Sequence, residues 1–244
     1  MQASPVPTNV MNDASGIAAG YFHSLAVKDG RAWAWGKNDY GQTNVPISAQ
    51  SGVSRVAGGG SFSLALKSDG SVSAWGAGIV ATNVPASLSS GVAQIAAGES
   101  HALALKNGGV VAWGDNTYGQ TNVPTSLTSG VAAVSAGGFY SMALKTNGEV
   151  QVFGIAETNQ YEYGIRDVPA SASSGVSAIA AGRWHALALK NGGVIAWGAC
   201  YDGTNSYADA TNVPPEATSG VTNVAAGDLF SIALKTNGTI VVWG

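Results

Sequence analysis

One phrase recurs six times along this chain. In its third copy it reads Ile95-Ala-Ala-Gly98, then His101-Ala-Leu-Ala-Leu-Lys106, a glycine turn, and Val110-Val-Ala-Trp-Gly114. The glycine that ends the first segment falls at Gly20, Gly59, Gly98, Gly137, Gly182 and Gly227, so successive copies lie 39, 39, 39, 45 and 45 residues apart. A fixed period of about 40–50 residues marks a repeat architecture, in which each copy is one supersecondary unit that buries its faces against its neighbours.

Each copy reads as four short strands. In the third these are residues 92–96, 101–106, 110–113 and 121–123, with Pro124 closing the last. Gly98, Asn107-Gly108-Gly109 and Asp115-Asn116 with Gly119 separate them. The second hairpin carries Asp29-Gly30, Asp69-Gly70, Asn107-Gly108, Asn147-Gly148, Asn191-Gly192 or Asn237-Gly238, dipeptides that accept the positive φ of tight hairpins. Small residues (Ala26, Ala65, Ala104, Ala143, Ala188, Ala233) interleave with large ones such as Leu25 and Trp35, as faces covered on both sides require. These patterns predict an all-β fold: a six-bladed β-propeller of four-stranded blades, forming one domain over residues 1–244. Thr8-Asn9-Val10 matches the fourth-strand phrase of Thr43-Asn-Val45 and Thr121-Asn-Val123, whereas the last copy stops at Trp243-Gly244. The N-terminal segment is therefore expected to pair as a strand with the C-terminal blade, removing two open edges.

Copies alternate in kind. Odd ones open the second strand with His23, His101 or His185; even ones use Phe62, Tyr140 or Phe230 and run one residue longer from Lys to the closing aromatic. Three histidines on alternate blades suit an axial metal site in principle, but the slot begins a buried strand, and hydrogen-bonded structural histidines are the favoured reading. Six lysines (Lys28, Lys67, Lys106, Lys145, Lys190, Lys235) share one repeat position, read as heads at a hairpin mouth in preference to an anion-binding ring. No metal or cofactor is expected.

Composition narrows the function. Of 244 residues only 10% are charged, with net charge −3 and no basic cluster to neutralise a phosphate backbone, so nucleic acid is not the expected partner. Residues 1–10 lack the features of a signal peptide, and no apolar run is long enough to span a membrane. Polarity rests on Ser, Thr, Asn and Gln, which fits a secreted or cell-surface protein. Cys200 stands alone and forms no internal disulfide. Motifs for a nucleophile elbow, a phosphate loop or a zinc hydrolase are missing, so the chain is expected not to be an enzyme.

The phrase AGxxHSLALKxxGxVxAWGxNxxGQTxVP resembles the regulator-of-chromosome-condensation repeat family over essentially the whole chain. The TNVP…SGV linker and the short, charge-poor copies are similar to the secreted propeller-type β-lactamase inhibitory proteins, although six copies stand here in place of seven. That resemblance implies a binding face made by two loops per blade, one after the Ala-Gly step and one after Trp-Gly. Carried over by position, the first loop supplies Phe22, Phe139 and Trp184, with Tyr21 and Arg183 beside them. The second supplies Asp39, Tyr40, Asp115 and Tyr118, and its longer forms in copies four and five hold Tyr161, Tyr163, Tyr201 and Tyr207. Such aromatics bury large area at small entropic cost, which implies a monomeric module that binds a folded protein, with a class A β-lactamase as the candidate. A carbohydrate-binding propeller, or an interaction module of a larger surface protein, is the alternative. A nucleotide-exchange role is disfavoured by the short copies.

Overall fold

The computed structural model describes residues 5–77, 79–155, 164–198, 200–201 and 206–244. Its contacts divide the chain into two compact units, Met1–Asn107 with Val111–Asn116, and Gly108–Val110 with Thr117–Gly244. Among the described residues there are six sheets of three antiparallel strands, which match a six-bladed propeller.

In the first unit, sheet one contains β1 (Gly16–Ala19), β2 (His23–Lys28) and β3 (Arg31–Gly36). Sheet two contains β4 (Val53–Gly58), β5 (Phe62–Lys67) and β6 (Val72–Gly76). Sheet three contains β7 (Val92–Ala97), β8 (His101–Lys106) and β9 (Gly109–Gly114), whose first residues belong to the second unit. The second unit continues with sheet four, β10 (Val131–Ala136), β11 (Tyr140–Lys145) and β12 (Val150–Gly154), and sheet five, β13 (Val176–Ala181), β14 (His185–Lys190) and β15 (Gly193–Gly198). A two-stranded ribbon of β16 (Cys200–Tyr201) and β17 (Ser206–Tyr207) follows. Sheet six closes the unit with β18 (Val221–Ala226), β19 (Ser231–Lys235) and β20 (Ile240–Trp243).

Among the described residues the expected fourth strand does not form. Its amides are used locally: Val45, Val84, Val123 and Val213 donate to the carbonyls of Thr43, Thr82, Thr121 and Thr211 at 2.9–3.1 Å, a γ-turn geometry that leaves no ladder to extend. Proline then removes a donor and starts a single 3₁₀ turn (Ile47–Ala49, Ala86–Leu88, Thr125–Leu127, Pro215–Ala217) that plugs a buried side chain beneath the sheets. Blades are therefore three-stranded. The N-terminal strand fails for a related reason. Thr8–Val10 is itself a 3₁₀ turn led by Pro7, with Val10 buried, and it stands ten residues before Gly20 as Ala86–Leu88 stands before Gly98. The resemblance of Thr8-Asn9-Val10 to the Thr-Asn-Val phrase is a false register, and among the described residues the sixth sheet contains β18, β19 and β20.

Hairpin chemistry explains the alternating length. In odd copies both turn residues have positive φ (Asp29 and Gly30, Asn107 and Gly108, Asn191 and Gly192), the two-residue form whose twist suits paired strands. Even copies need only glycine there (Gly70, Gly148, Gly238), and one added residue lets the Lys67, Lys145 and Lys235 amides reach Ser71, Glu149 and Thr239 carbonyls.

Packing follows the small-against-large rule. Leu25 and Val27 of sheet one meet Ala65 and Trp75 of sheet two; Phe62, Leu64 and Leu66 meet Ile95, Ala102 and Ala104 of sheet three. In the second unit Tyr140, Met142 and Leu144 meet Ala186 and Ala188, and Leu187 and Leu189 meet Val224 and Ala233. Burying a leucine-sized side chain in this way contributes about 2 kcal/mol.

Candidate functional site

The loops after Gly20, Gly59, Gly137, Gly182 and Gly227 are each fixed by a ring that lies over the glycine. A Cβ on Gly59 would overlap the ring of Phe62, and one on Gly137 would stand 2.5 Å from Tyr140 Cζ and 2.6 Å from the Gly182 carbonyl oxygen. Glycine is needed here for close approach, since neither residue has a positive φ. Neighbouring loops within each unit are tied by main-chain bonds. Tyr21 N donates to Gly59 O and Gly60 N to Glu99 O in the first unit; Gly138 N donates to Arg183 O and Arg183 N to Gly227 O in the second.

On that frame the second unit carries a continuous aromatic row. The Tyr118 and Phe139 rings lie 4.8 Å apart, Phe139 and Trp184 lie 5.3 Å apart, and the Arg183 guanidinium sits 5.2 Å from the Trp184 centroid. Arg183 also pairs with Asp228 at 3.7 Å. All four row members are half-buried, so their edges are held while part of each stays open to solvent. The first unit gathers a smaller, more polar group. Tyr21 meets Phe22 edge-on at 6.4 Å and donates its hydroxyl to Glu99 Oε2 at 3.0 Å; Lys37 lies over Phe22 and pairs with Asp39. Tyr40 is exposed, with its amide donated to the buried Gln42 side chain, and the Tyr118 amide is donated to Gln120 in the same manner. The Asp115 amide is donated to Ser100 O. Tyr161 and Tyr163 lie outside the described residues, and Tyr201 and Tyr207 belong to the β16–β17 ribbon. Glu99 and Asp228 escaped the sequence reading. They occupy the repeat position of Tyr21 and Arg183, directly after the step glycine, and that register was the available signal.

Two of the three histidines reach a serine of the following sheet. His23 Nε2 lies 2.9 Å from Ser63 Oγ, and His185 Nε2 lies 2.9 Å from Ser231 Oγ. Each serine gives its one hydrogen to a carbonyl, of Gln42 and Ala210 respectively, so each imidazole donates from Nε2. Burial pushes His185 down to about 4; it also lowers His23, against an opposing main-chain hydrogen bond at Phe62. Lysine heads find main-chain acceptors: Lys106, Lys190 and Lys235 donate to Ser87, Ser171 and Glu216 carbonyls of the preceding 3₁₀ turns, and Lys145 pairs with Glu149. Among the described residues no group of three or more His, Cys, Asp or Glu gathers as a metal site, and no helix is long and apolar enough to cross a membrane.

Residues 15–42, 92–120 and 221–244 match the regulator of chromosome condensation (RCC1) repeat. No curated protein sequence matches the chain. Among solved structures, Prp20p of Saccharomyces cerevisiae is similar at 20% identity, TM-score 0.71, over 93% of this chain and 71% of that one. Human WBSCR16 is similar at 19% identity, TM-score 0.73, over 100% and 79%. The CRINKLY WD40 ectodomain of the Arabidopsis thaliana receptor kinase ACR4 is similar at 19% identity, TM-score 0.69, over 94% and 83%. At such identities the likeness is one of fold. Copies one, three and six thus carry the RCC1 repeat pattern, on a fold this chain shares with those proteins.

Proposed function

We propose that this chain is a non-enzymatic module that binds a folded protein through the loops following the Ala-Gly and Trp-Gly steps. The observation that carries the reading is the row Tyr118–Phe139–Trp184 with Arg183 stacked at its end. Aromatic and arginine side chains held by their own neighbours lose little entropy when a partner covers them, and they dominate interface energetics for that reason. The Prp20p structure is described with binding to Gsp1p and histones, which supports protein recognition as a use of this fold. As the specific partner we propose a class A β-lactamase, inhibited sterically by aromatic side chains docked around its active-site entrance, in an extracellular setting.

The test is a titration of the chain against class A enzymes hydrolysing a chromogenic cephalosporin. Inhibition is expected, and Trp184→Ala should weaken it about thirtyfold, the equivalent of a ~2 kcal/mol hot spot. No inhibition at micromolar concentration rejects this partner. Glycan-array binding that disappears with Trp184→Ala would replace protein recognition by carbohydrate stacking.

A further inference from the structure

The aromatic row of the second unit ends on a charge that is held in place from several sides. The Arg183 amide donates to Gly227 O at 3.1 Å, and its carbonyl accepts Gly138 N at 3.2 Å. Its guanidinium lies 5.2 Å from the Trp184 centroid, and Trp184 is held 5.3 Å from Phe139. A guanidinium is a flat fork of N–H groups that matches the paired oxygens of a carboxylate, a geometry that lysine does not offer.

Asp228 shows that chemistry from within the chain. Its Oδ2 stands 3.7 Å from Arg183 Nη1, the distance of an ion pair without a hydrogen bond. The acidic residue at the same repeat position in the first unit is closer to its partner. Glu99, also directly after a step glycine, accepts the Tyr21 hydroxyl at 3.0 Å. Charge-assisted N–H···O bonds run to about 2.8 Å, so a carboxylate that approaches fully would be held by Arg183 more strongly than Asp228 is. The Trp184 and Phe139 rings lie next to that point and offer apolar contact to whatever carries the carboxylate.

We propose that Arg183 is a carboxylate-binding point, and that the partner is a protein loop with an Asp or Glu side chain beside an apolar one. The carboxylate displaces Asp228 from Arg183, and the apolar neighbour covers Trp184 and Phe139. This rests on the row being a binding face and adds the charge that the partner must carry. Asp228 is then an internal competitor: it weakens the binding of acidic loops and leaves neutral ones unaffected.

Disulfide-closed loops displayed on phage and panned on the unmodified chain test this. Retained loops should be enriched in Asp or Glu next to aromatic, proline or aliphatic residues, and Trp184→Ala should release them. Replacing the acid of a retained loop by its amide should weaken binding about tenfold. On Arg183→Gln the acid and amide forms should bind alike. On Asp228→Asn the acid form should bind about threefold tighter and the amide form as before. Weaker binding of the acid form to Asp228→Asn overturns the proposal, because Asp228 would then be positioning Arg183 instead of competing for it. Retained loops that depend on Trp184 but carry no acid overturn it too, while the row stands as a binding face. Loops indifferent to Trp184→Ala, or no retained loop at all, remove the row as a binding face and the proposal with it.

Discussion

Sheets four and five fill one slot with different chemistry. Tyr140 lies over Gly137 and sends its hydroxyl to the main-chain carbonyls of Gly182 and His185 in the next sheet; His185 lies over Gly182 and sends Nε2 to the Ser231 hydroxyl of the next. Both need a flat ring on a bare glycine. They differ in what the following sheet must supply. A phenol finds its acceptors on the main chain, so the residue after His185 can be alanine, whereas an imidazole needs a side-chain acceptor, supplied by Ser231. The first unit obeys the same rule: Ser63 follows His23, and Ala102 follows Phe62. The two-copy period is thus a contact rule between consecutive sheets.

The feature common to both slots should be the hardest to break. In Gly137→Ala the new methyl meets the Tyr140 ring and a main-chain oxygen, neither of which has room to withdraw. A loss of about 3 kcal/mol or more is expected, near the upper end of overpacking costs, lowering Tm by roughly 10 °C. Gly182→Ala should behave alike, since its Cβ would stand 2.5 Å from His185 Cε1 and 2.7 Å from the Gly227 oxygen. A melting curve that barely moves in either variant would show that ring and glycine are not in contact.

Acid should separate the two slots. Folded His185 stays neutral down to about 4, while the unfolded chain takes up a proton near the ordinary value of 6.5. The unfolded state therefore binds more protons between those limits, and stability falls as pH drops through that window by an amount on the order of 3 kcal/mol. Urea midpoints at pH 7.5 and 4.5 measure it. His185→Gln should flatten the dependence by that share, leaving the contribution of His23; Tyr140→Phe should leave the slope unchanged. An identical slope in His185→Gln would mean that the imidazole is not buried as a neutral group.

Much of the scaffold is legible in the residues alone. The period gives six sheets, and the Asp-Gly and Asn-Gly dipeptides give their second hairpins, because positive φ is a local demand that few residues meet. The fourth strand misleads because Thr-Asn-Val has strand-forming residues at its ends; only the γ-turn at Val45 or Val123 and the proline behind it divert the chain, and a turn of that size has no period of its own. The step glycines are visible but read as turns, since the ring three residues later reveals itself only in space. Of the loop residues, Phe139 and Trp184 follow from the repeat register, yet their contact with each other and with Tyr118 joins three copies and is written nowhere in one copy. Glu99 escapes because Ser100 holds the loop position that the register follows.

The smallest effect expected between the two slots concerns the polar tip alone. Tyr140→Phe keeps the ring over Gly137 and restores what Phe62 and Phe230 already place in that slot, so packing should survive. What is lost is one buried hydroxyl shared between two carbonyls, of which the His185 oxygen still accepts the Gly182 amide at 2.8 Å. Losing that hydrogen bond costs about 1 kcal/mol, some 2–4 °C in Tm for a chain of this size, with the urea m-value unchanged. A loss several times larger would mean that the hydroxyl holds the two sheets in register. The ring-over-glycine contact would then no longer be the main source of stability that the Tyr140 and His185 slots share.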